Sequence, residues 1–91
     1  MRFRYLGSFD RSFRKLSAER RKKVAEAVGA FLDFYRTGIR PSGLGLKKLR
    51  NDFWEIRADL STRIIFQLEK DCVTFALAGD HEEIRQFLRE G

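Results

Sequence analysis

The stretch GLGLKKLRNDFWEIRADLSTRIIF, Gly43–Phe66, decides the fold. In its middle, Trp54 and Ile56 alternate with Glu55 and Arg57. A period of two is typical of a β-strand whose faces meet different surroundings, because successive side chains point to opposite sides. The stretch therefore predicts a sheet with one apolar face and one polar face.

Two further strands follow along the chain, and short turns join them. The three predicted strands are Phe53–Ala58, Arg63–Leu68 and Cys72–Ala78. The connecting segments ADLS and EKD are short enough for antiparallel hairpins. On the polar face, the small residues Thr74, Ala76 and Ala78 would lie beside polar side chains such as those of Arg63 and Gln67. Small residues there predict a shallow, open depression.

The segments on either side of these strands add helices and one more strand. They predict a first strand at Arg2–Leu6, a helix capped by Ser8, a longer helix from Ser17 to Gly38, a loop at Gly38–Gly45 and a C-terminal helix with an Asp80–Glu83 capping box. The whole predicts an α+β fold in a single domain over residues 1–91. An N-terminal helical hairpin packs on a four-stranded antiparallel sheet, and a short helix ends the chain.

The composition limits the classes of partner and site. The chain has 91 residues, a hydrophobic fraction of 43% and a formal net charge of +6. Such a basic domain favours polyanionic partners: nucleic acid, an anionic membrane or an acidic protein segment. Cys72 is the only cysteine, so no internal disulfide is possible, and one Cys with one His cannot build a conventional zinc site. No segment has the length and apolarity of a signal peptide or a membrane span, which predicts a cytoplasmic protein.

One set of polar residues has the composition of a metal-free RNA-cleaving site. Glu55, Arg57 and Arg63 share a face of two neighbouring strands, and His81 follows the end of the next strand. Cleavage of RNA needs a base for the 2′-hydroxyl proton, cations for the charge on phosphorus and an acid for the leaving oxygen. Guanidinium groups suit phosphate because they donate in a bidentate way and stay charged.

An ordinary structural role also accounts for each of these groups. Glu55 can form a cross-strand salt bridge on a solvated face, and His81 can be a tolerated residue in a capped first turn. The basic run Arg20–Lys23 can be a solvated helix face. The basic segment Leu46–Arg50 lies near Trp54 in a mixture typical of RNA-binding surfaces, but Trp54 itself falls on the apolar strand face and fits the core.

Two segments resemble a known family. SFDRSFRKLSAERRKKV (Ser8–Val24) and GLGLKKLRNDFWEIRADLSTRIIFQLEKDCVTFALAGDHEEI (Gly43–Ile84) are similar to the RelE/ParE superfamily of type II toxin–antitoxin toxins. The resemblance implies the RelE-like fold and a ribosome-dependent endoribonuclease that inhibits translation by metal-independent 2′-hydroxyl attack. It implies mRNA in the ribosomal A site, rRNA and a cognate antitoxin protein as partners. No small-molecule cofactor and no membrane partner are expected.

The resemblance also assigns roles to residues. Arg63 corresponds to the arginine that contacts the scissile phosphate, Arg57 and Glu55 occupy active-site positions, and His81 matches a histidine that some members use as acid or base. Arg85 stands where several active members have an aromatic residue, so it either substitutes as a cation or activity is reduced. The expected catalytic set is Glu55, Arg57, Arg63, His81 and Arg85. The expected RNA or ribosome contacts are Lys47, Lys48, Arg50, Arg20 and Lys23.

Two other functions remain open within the same superfamily. One is a ParE-like inhibitor of DNA gyrase that acts by protein contact. The other is a catalytically inactive protein of the RelE fold that binds RNA or an antitoxin-like peptide. The combination of Glu55, Arg63 and His81 favours the nuclease.

Overall fold

A computed structural model describes residues 2–90 and shows three helices and a five-stranded sheet over that range. The elements in chain order are β1 (Arg2–Tyr5), α1 (Gly7–Lys15), α2 (Ala18–Thr37), β2 (Lys47–Lys48), β3 (Phe53–Arg57), β4 (Arg63–Glu69), β5 (Cys72–Gly79) and α3 (His81–Glu90). The strand order is β1-β5-β4-β3-β2. The α+β class with an N-terminal helical hairpin and a C-terminal helix is confirmed.

The sheet differs from the predicted four antiparallel strands in two respects. Strands β3, β4 and β5 form the expected antiparallel hairpins, but β1 pairs in parallel with β5. A parallel partner needs a long crossover, which α1, α2 and the rest of the sheet supply. The fifth strand, β2, has two residues and pairs antiparallel with β3. Two residues are too few to show a period, so the sequence gives no signal for it.

The predicted caps of α2 and α3 are present. The Ser17 side chain accepts a hydrogen bond from the Arg20 amide at 3.2 Å, which caps α2. Gly38 ends the same helix at φ 77°, a left-handed conformation that favours glycine. Asp80 and Glu83 exchange hydrogen bonds of 2.8 and 2.9 Å at the start of α3. The capping box therefore fixes the turn that carries His81.

A β-bulge in β5 changes the face on which its last residues lie. The register passes from Phe75 opposite Phe66 to Leu77 opposite Ile65, so Ala76 is the extra residue. Beyond the bulge, Leu77 lies on the face of Ile65, and Ala78 joins the main core instead. The predicted place of Ala78 on the polar face is therefore wrong.

Two serines of α1 satisfy backbone groups beside this bulge. The Ser8 hydroxyl donates to the Ala76 carbonyl at 2.6 Å, and the Ala78 amide donates to Ser12 Oγ at 3.0 Å. A bulge leaves backbone groups outside the strand ladder, and buried ones need partners. Ser8 is therefore not a helix cap as predicted, because α1 begins at Gly7 and Ser8 binds the sheet.

The helical hairpin α1–α2 covers the first face of the sheet and forms the main core. The ring centroids of Phe31 from α2 and Phe66 from β4 lie 4.6 Å apart. Val24, Ile56 and Phe75 are also fully buried there. This confirms the predicted apolar face. Cys72 is buried as well.

The C-terminal helix α3 packs on the second face, which the sequence predicts to be an open depression. Ile84 of α3 and Ile65 of β4 are both buried, and the rings of Phe53 and Phe87 meet edge to face at 6.0 Å. The predicted depression is therefore wrong, because an apolar helix stripe fills it. At the end of this face where α3 begins, Arg57 is exposed, whereas Arg63 and Glu55 are partly buried. Among residues 2–90, no helix combines the length and apolarity that a membrane crossing requires.

Candidate functional site

Two arginines lie opposite each other in the sheet register, at the end of the second face where α3 begins. Arg57, the last residue of β3, is the direct register partner of Arg63, the first residue of β4, and Arg63 in turn faces Gly79 of β5. Partners in register share a sheet face, so the two side chains leave the sheet on the same side. Like charges directly opposite each other are unfavourable by about 0.2–1 kcal/mol. Such a pair is suited to an anion that lies between them.

Arg63 is held from two sides. Its Nε lies 3.8 Å from Glu55 Oε2, and its Nη1 donates to the carbonyls of Asp59 at 2.9 Å and Leu60 at 3.3 Å. The side chains of Arg63 and Glu55 are 22% and 17% exposed. Within residues 2–90, Nη2 of Arg63 has no hydrogen-bond partner. The guanidinium is therefore oriented by one edge and leaves donors for an anion on another.

Arg57, in contrast, is free of partners in the described part of the chain. Its side chain is exposed and makes no hydrogen bond or ion pair with residues 2–90, while its amide donates to the Leu44 carbonyl at 2.8 Å. A groove of about 220 Å³ runs beside it between α2 and the loop before β2, where Lys23 and Glu26 also lie. Arg57 thus carries an available positive charge at the register position opposite Arg63 and beside the groove that Lys23 and Glu26 line.

Asp59 organises the turn between β3 and β4, which supplies the carbonyls that hold Arg63. Its carboxylate accepts hydrogen bonds from the amides of Ser61 at 2.9 Å and Thr62 at 2.8 Å. Burial raises the pKa of Asp59, but these hydrogen bonds and the charge of Arg20 outweigh it, so the pKa is lowered overall. The carboxylate is therefore ionised at neutral pH and fixes the turn.

Arg20 reaches the same turn from α2. Its Nε donates to Thr62 Oγ1 at 2.8 Å, and its Nη2 lies within hydrogen-bond distance of the Ser61 carbonyl and Oγ, at 3.3 and 3.2 Å. Thr62 is fully buried. Although the sequence predicts Arg20 as an RNA contact, the structure directs its guanidinium at the protein. Lys23 lies in the groove beside Arg57 instead.

His81 and Arg85 lie in the first half of α3, which follows β5. His81 is exposed and lies in the first turn, two residues after Gly79, the partner of Arg63. Chain geometry therefore keeps the Cα atoms of His81 and Arg63 within about 13 Å of each other. Arg85 is exposed one turn further on and forms an ion pair with Glu82 at 3.8 Å. His81 makes no hydrogen bond or ion pair within residues 2–90 and is available to a ligand.

The remaining predicted RNA contacts do not all lie on the face of Arg57 and Arg63. Lys47 is the register partner of Glu55 and so shares its face, at the edge of the sheet. Lys48 lies on the opposite face, with its Nζ 5.9 Å from the centre of the Trp54 ring. Trp54 packs against the main core, which confirms its interpretation as a core residue. Arg50 donates to the Leu88 carbonyl and so caps the far end of α3.

The residues that sequence reasoning misses are those of the turn. The segment ADLST contains Asp59, Ser61 and Thr62, and its length predicts only a hairpin turn. The signal was present, because Asp followed by Ser and Thr at the second and third positions is typical of a turn closed by a side-chain carboxylate. The contact between this turn and Arg20 cannot be predicted from the local sequence, because Arg20 lies far away in the chain.

Solved structures of toxin–antitoxin proteins have the same fold. A chain of the RelB–RelE antitoxin–toxin complex from Methanococcus jannaschii is 14% identical, with a TM-score of 0.69 over 92% of this chain and 96% of that one. YafQ from E. coli is also 14% identical, with a TM-score of 0.68 over 92% and 98% of the two chains. For the YoeB/ParE toxin from Agrobacterium tumefaciens, the identity is 13% and the TM-score 0.66 over 89% and 99%.

At these identities the similarity is one of fold. No protein-family model matches the chain, and no curated protein sequence is detectably similar to it. The chain has the RelE-like fold of type II toxin–antitoxin toxins, as the resemblance in its sequence implies.

Proposed function

We propose that this chain is the toxin of a type II toxin–antitoxin system and that it cleaves mRNA on the ribosome. The observation that carries the proposal is the register pair of arginines on the second sheet face, in which Arg63 is oriented by hydrogen bonds and Arg57 has no partner among residues 2–90. The fold of RelE and YafQ structures supports the same class of protein. Its place of action would be the cytoplasm, and its partners mRNA in the A site, rRNA and a cognate antitoxin.

The two arginines would share the phosphate of the scissile bond. The free Nη2 edge of Arg63 would donate to one non-bridging oxygen, and the exposed Arg57 side chain would donate to another. As the 2′-oxygen attacks, a bond forms from this oxygen to phosphorus while the bond to the 5′-oxygen breaks. Charge on the phosphorane oxygens grows during this step, and fixed cations stabilise it more than the ground state.

His81 is the better candidate for proton transfer than Glu55. His81 is exposed and has no partner in the described part of the chain, whereas Glu55 is half-buried and lies 3.8 Å from the Arg63 guanidinium. A base must reach the 2′-hydroxyl within hydrogen-bond distance, which favours the accessible group. We therefore assign to Glu55 the role of orienting Arg63. To His81 we assign proton transfer with the reacting oxygens. Arg85, one turn along the same helix, would add positive charge near the leaving strand.

The test is cleavage of a tagged mRNA in a translation extract, mapped by primer extension. We expect cleavage at codon boundaries by the wild type. Arg63→Ala, Arg57→Ala and His81→Ala should each lower the rate about 10²–10³-fold, the range for removing one group that stabilises the transition state. Arg11→Ala, an exposed arginine of α1, is the charge-matched control. Intact mRNA with the folded wild type would contradict the nuclease.

The covered sheet face favours one alternative, a ParE-like inhibitor that acts by protein contact on DNA gyrase. α3 packs on most of the sheet face that the sequence assigns to RNA. An inhibitor that acts by protein contact does not need this face to be open, because it can bind through the exposed residues around it. A gyrase supercoiling assay with the same variants separates the two functions. Inhibition of supercoiling that survives His81→Ala, with mRNA left intact, would establish the alternative.

A further inference from the structure

The turn between β3 and β4 connects α2 to the oriented arginine of the site. Arg20 of α2 binds Thr62 Oγ1 and the Ser61 carbonyl on one side of the turn. On the other side, the carbonyls of Asp59 and Leu60 accept from Arg63 Nη1. The turn thus has an arginine on each side, and only Arg63 belongs to the register pair.

The Asp59 carboxylate, the buried Thr62 and two backbone hydrogen bonds also hold this turn. Its backbone closes through the Ala58 and Asp59 amides, which donate to the Thr62 carbonyl at 2.9 and 3.3 Å. The tip residue Leu60 is exposed and packs on nothing that would fix the carbonyl direction. The bonds from Arg20 add to these contacts and bind the side of the turn at Ser61 and Thr62, so they help to determine where the two carbonyls point.

We infer that Arg20 is a positioning residue for Arg63, acting through Thr62 and the carbonyls of the turn. The inference rests on the proposed function and deepens it. Arg20 would not contact RNA at all. Its loss would let the turn reorient, so that Arg63 spends part of its time with the wrong edge towards the phosphate. Fixed donors stabilise a transition state only when they are already oriented, so the chemical step should slow while binding persists.

This role differs in its kinetics from the RNA contact that the sequence predicts for Arg20. A lost phosphate contact raises the concentration of toxin needed for half-maximal cleavage and lowers the salt dependence by about one charge. A lost positioning contact lowers the maximal single-turnover rate instead. Arg20→Lys distinguishes them further, because lysine keeps the charge but not the planar fork that reaches Thr62 and Ser61 together.

The experiment measures single-turnover cleavage on programmed ribosomes as a function of toxin concentration. For Arg20→Met and Arg20→Lys we expect the maximal rate to fall about tenfold, with half-saturation and its salt slope within twofold of the wild type. Arg11→Met loses the same charge at an exposed site of α1 and should match the wild type. A rise in half-saturation at an unchanged maximal rate would overturn the inference, as would wild-type rates in both Arg20 variants.

Thr62 allows the turn side to be tested with Arg20 intact. Thr62→Val removes the acceptor without altering any charge, and Thr62→Ser restores a hydroxyl. We expect valine to reproduce the loss in maximal rate, serine to recover most of it, and the Arg20→Met/Thr62→Val double variant to be no slower than either single one. Additive losses would overturn the inference. Thermal unfolding of each variant shows whether a lost rate reflects a lost fold.

Side-chain NMR of Arg63 gives an answer that does not depend on cleavage. A guanidinium fixed through Nη1 shows separate, slowly exchanging Nη signals. These should be resolved in the wild type and in Arg11→Met and should merge in Arg20→Met and Thr62→Val. Should the wild type leave mRNA intact, the proposed function fails, but the NMR comparison still decides the positioning. Unchanged Arg63 signals in Arg20→Met would overturn it.

Discussion

The capping box at the start of α3 allows a direct test of the helix that brings His81 to the site. Asp80 Oδ1 accepts from the Glu83 amide at 2.8 Å, and Glu83 Oε1 accepts from the Asp80 amide at 2.9 Å. These bonds satisfy amides that would otherwise lack partners at the helix start. Because His81 lies between the two capping residues, we expect Asp80→Ala to loosen the turn that carries the imidazole.

The magnitude follows from what alanine and asparagine each remove. Asp80→Asn keeps an oxygen that can accept from the Glu83 amide and loses only the charge at the helix N-terminus, about 0.3–1 kcal/mol. Asp80→Ala also loses the hydrogen bond, about 1 kcal/mol more. In a domain of this size, 1 kcal/mol corresponds to roughly 4–8 °C in Tm. Alanine should therefore lower the Tm by roughly 5–16 °C and asparagine by roughly 1–8 °C.

The assay combines thermal unfolding, amide exchange and mRNA cleavage on the three proteins. In Asp80→Ala we expect faster exchange in the first turn of α3, unchanged protection in the buried strands β4 and β5, and cleavage several times slower than in Asp80→Asn. Equal Tm values for alanine and asparagine would show that the hydrogen bond contributes nothing. Unchanged exchange at His81 together with unchanged cleavage would refute the assignment of α3 as the support of the imidazole.

Three further predictions concern charge and burial. The pKa of Asp59 is lowered in the folded state, in which Arg20 faces it from α2. The ionised carboxylate therefore stabilises the fold fully above the unfolded pKa of about 4, and this contribution is lost as the pH falls through the folded pKa. Urea unfolding of wild type and Asp59→Asn should differ above pH 5 and converge in acid. Ser12→Ala leaves the buried Ala78 amide without its acceptor and should lower the free energy of unfolding by about 1–3 kcal/mol, measured by urea titration. Affinity for programmed ribosomes should fall steeply with salt, and Arg57→Ala should reduce the log–log slope by about 1; a salt-independent affinity would contradict a phosphate contact.

The sequence predicts the elements of this fold better than their arrangement. The helix ends at Ser17 and Gly38 and the capping box at Asp80 are local features, and local chemistry sets them. The direction of β1 depends on its distant partner β5, which alternation within β1 does not encode. The bulge at Ala76 is equally hidden, because the segment VTFALA continues a regular alternation through it.

The site shows the same division between local pattern and distant contact. The shared face of Glu55, Arg57 and Arg63 follows from period two and a short turn, and the register confirms it. In the sequence, only Ile65 indicates that α3 covers the face assigned to RNA, because Ile65 is an apolar residue on that face. The contact of Arg20 with the turn joins residues 42 positions apart, so no sequence window contains both partners.

The Arg57–Arg63 pair carries a cost that a purely structural sheet would avoid. A like-charged pair in register opposes pairing of β3 and β4, and Glu55 offsets it for Arg63 alone. The fold holds Arg63 through turn carbonyls and leaves Arg57 without a partner among residues 2–90. Local features that weaken a fold without a compensating contact are expected where a ligand supplies that contact. An anion between the two guanidinium groups would remove their repulsion, so binding of a phosphodiester should also stabilise the fold.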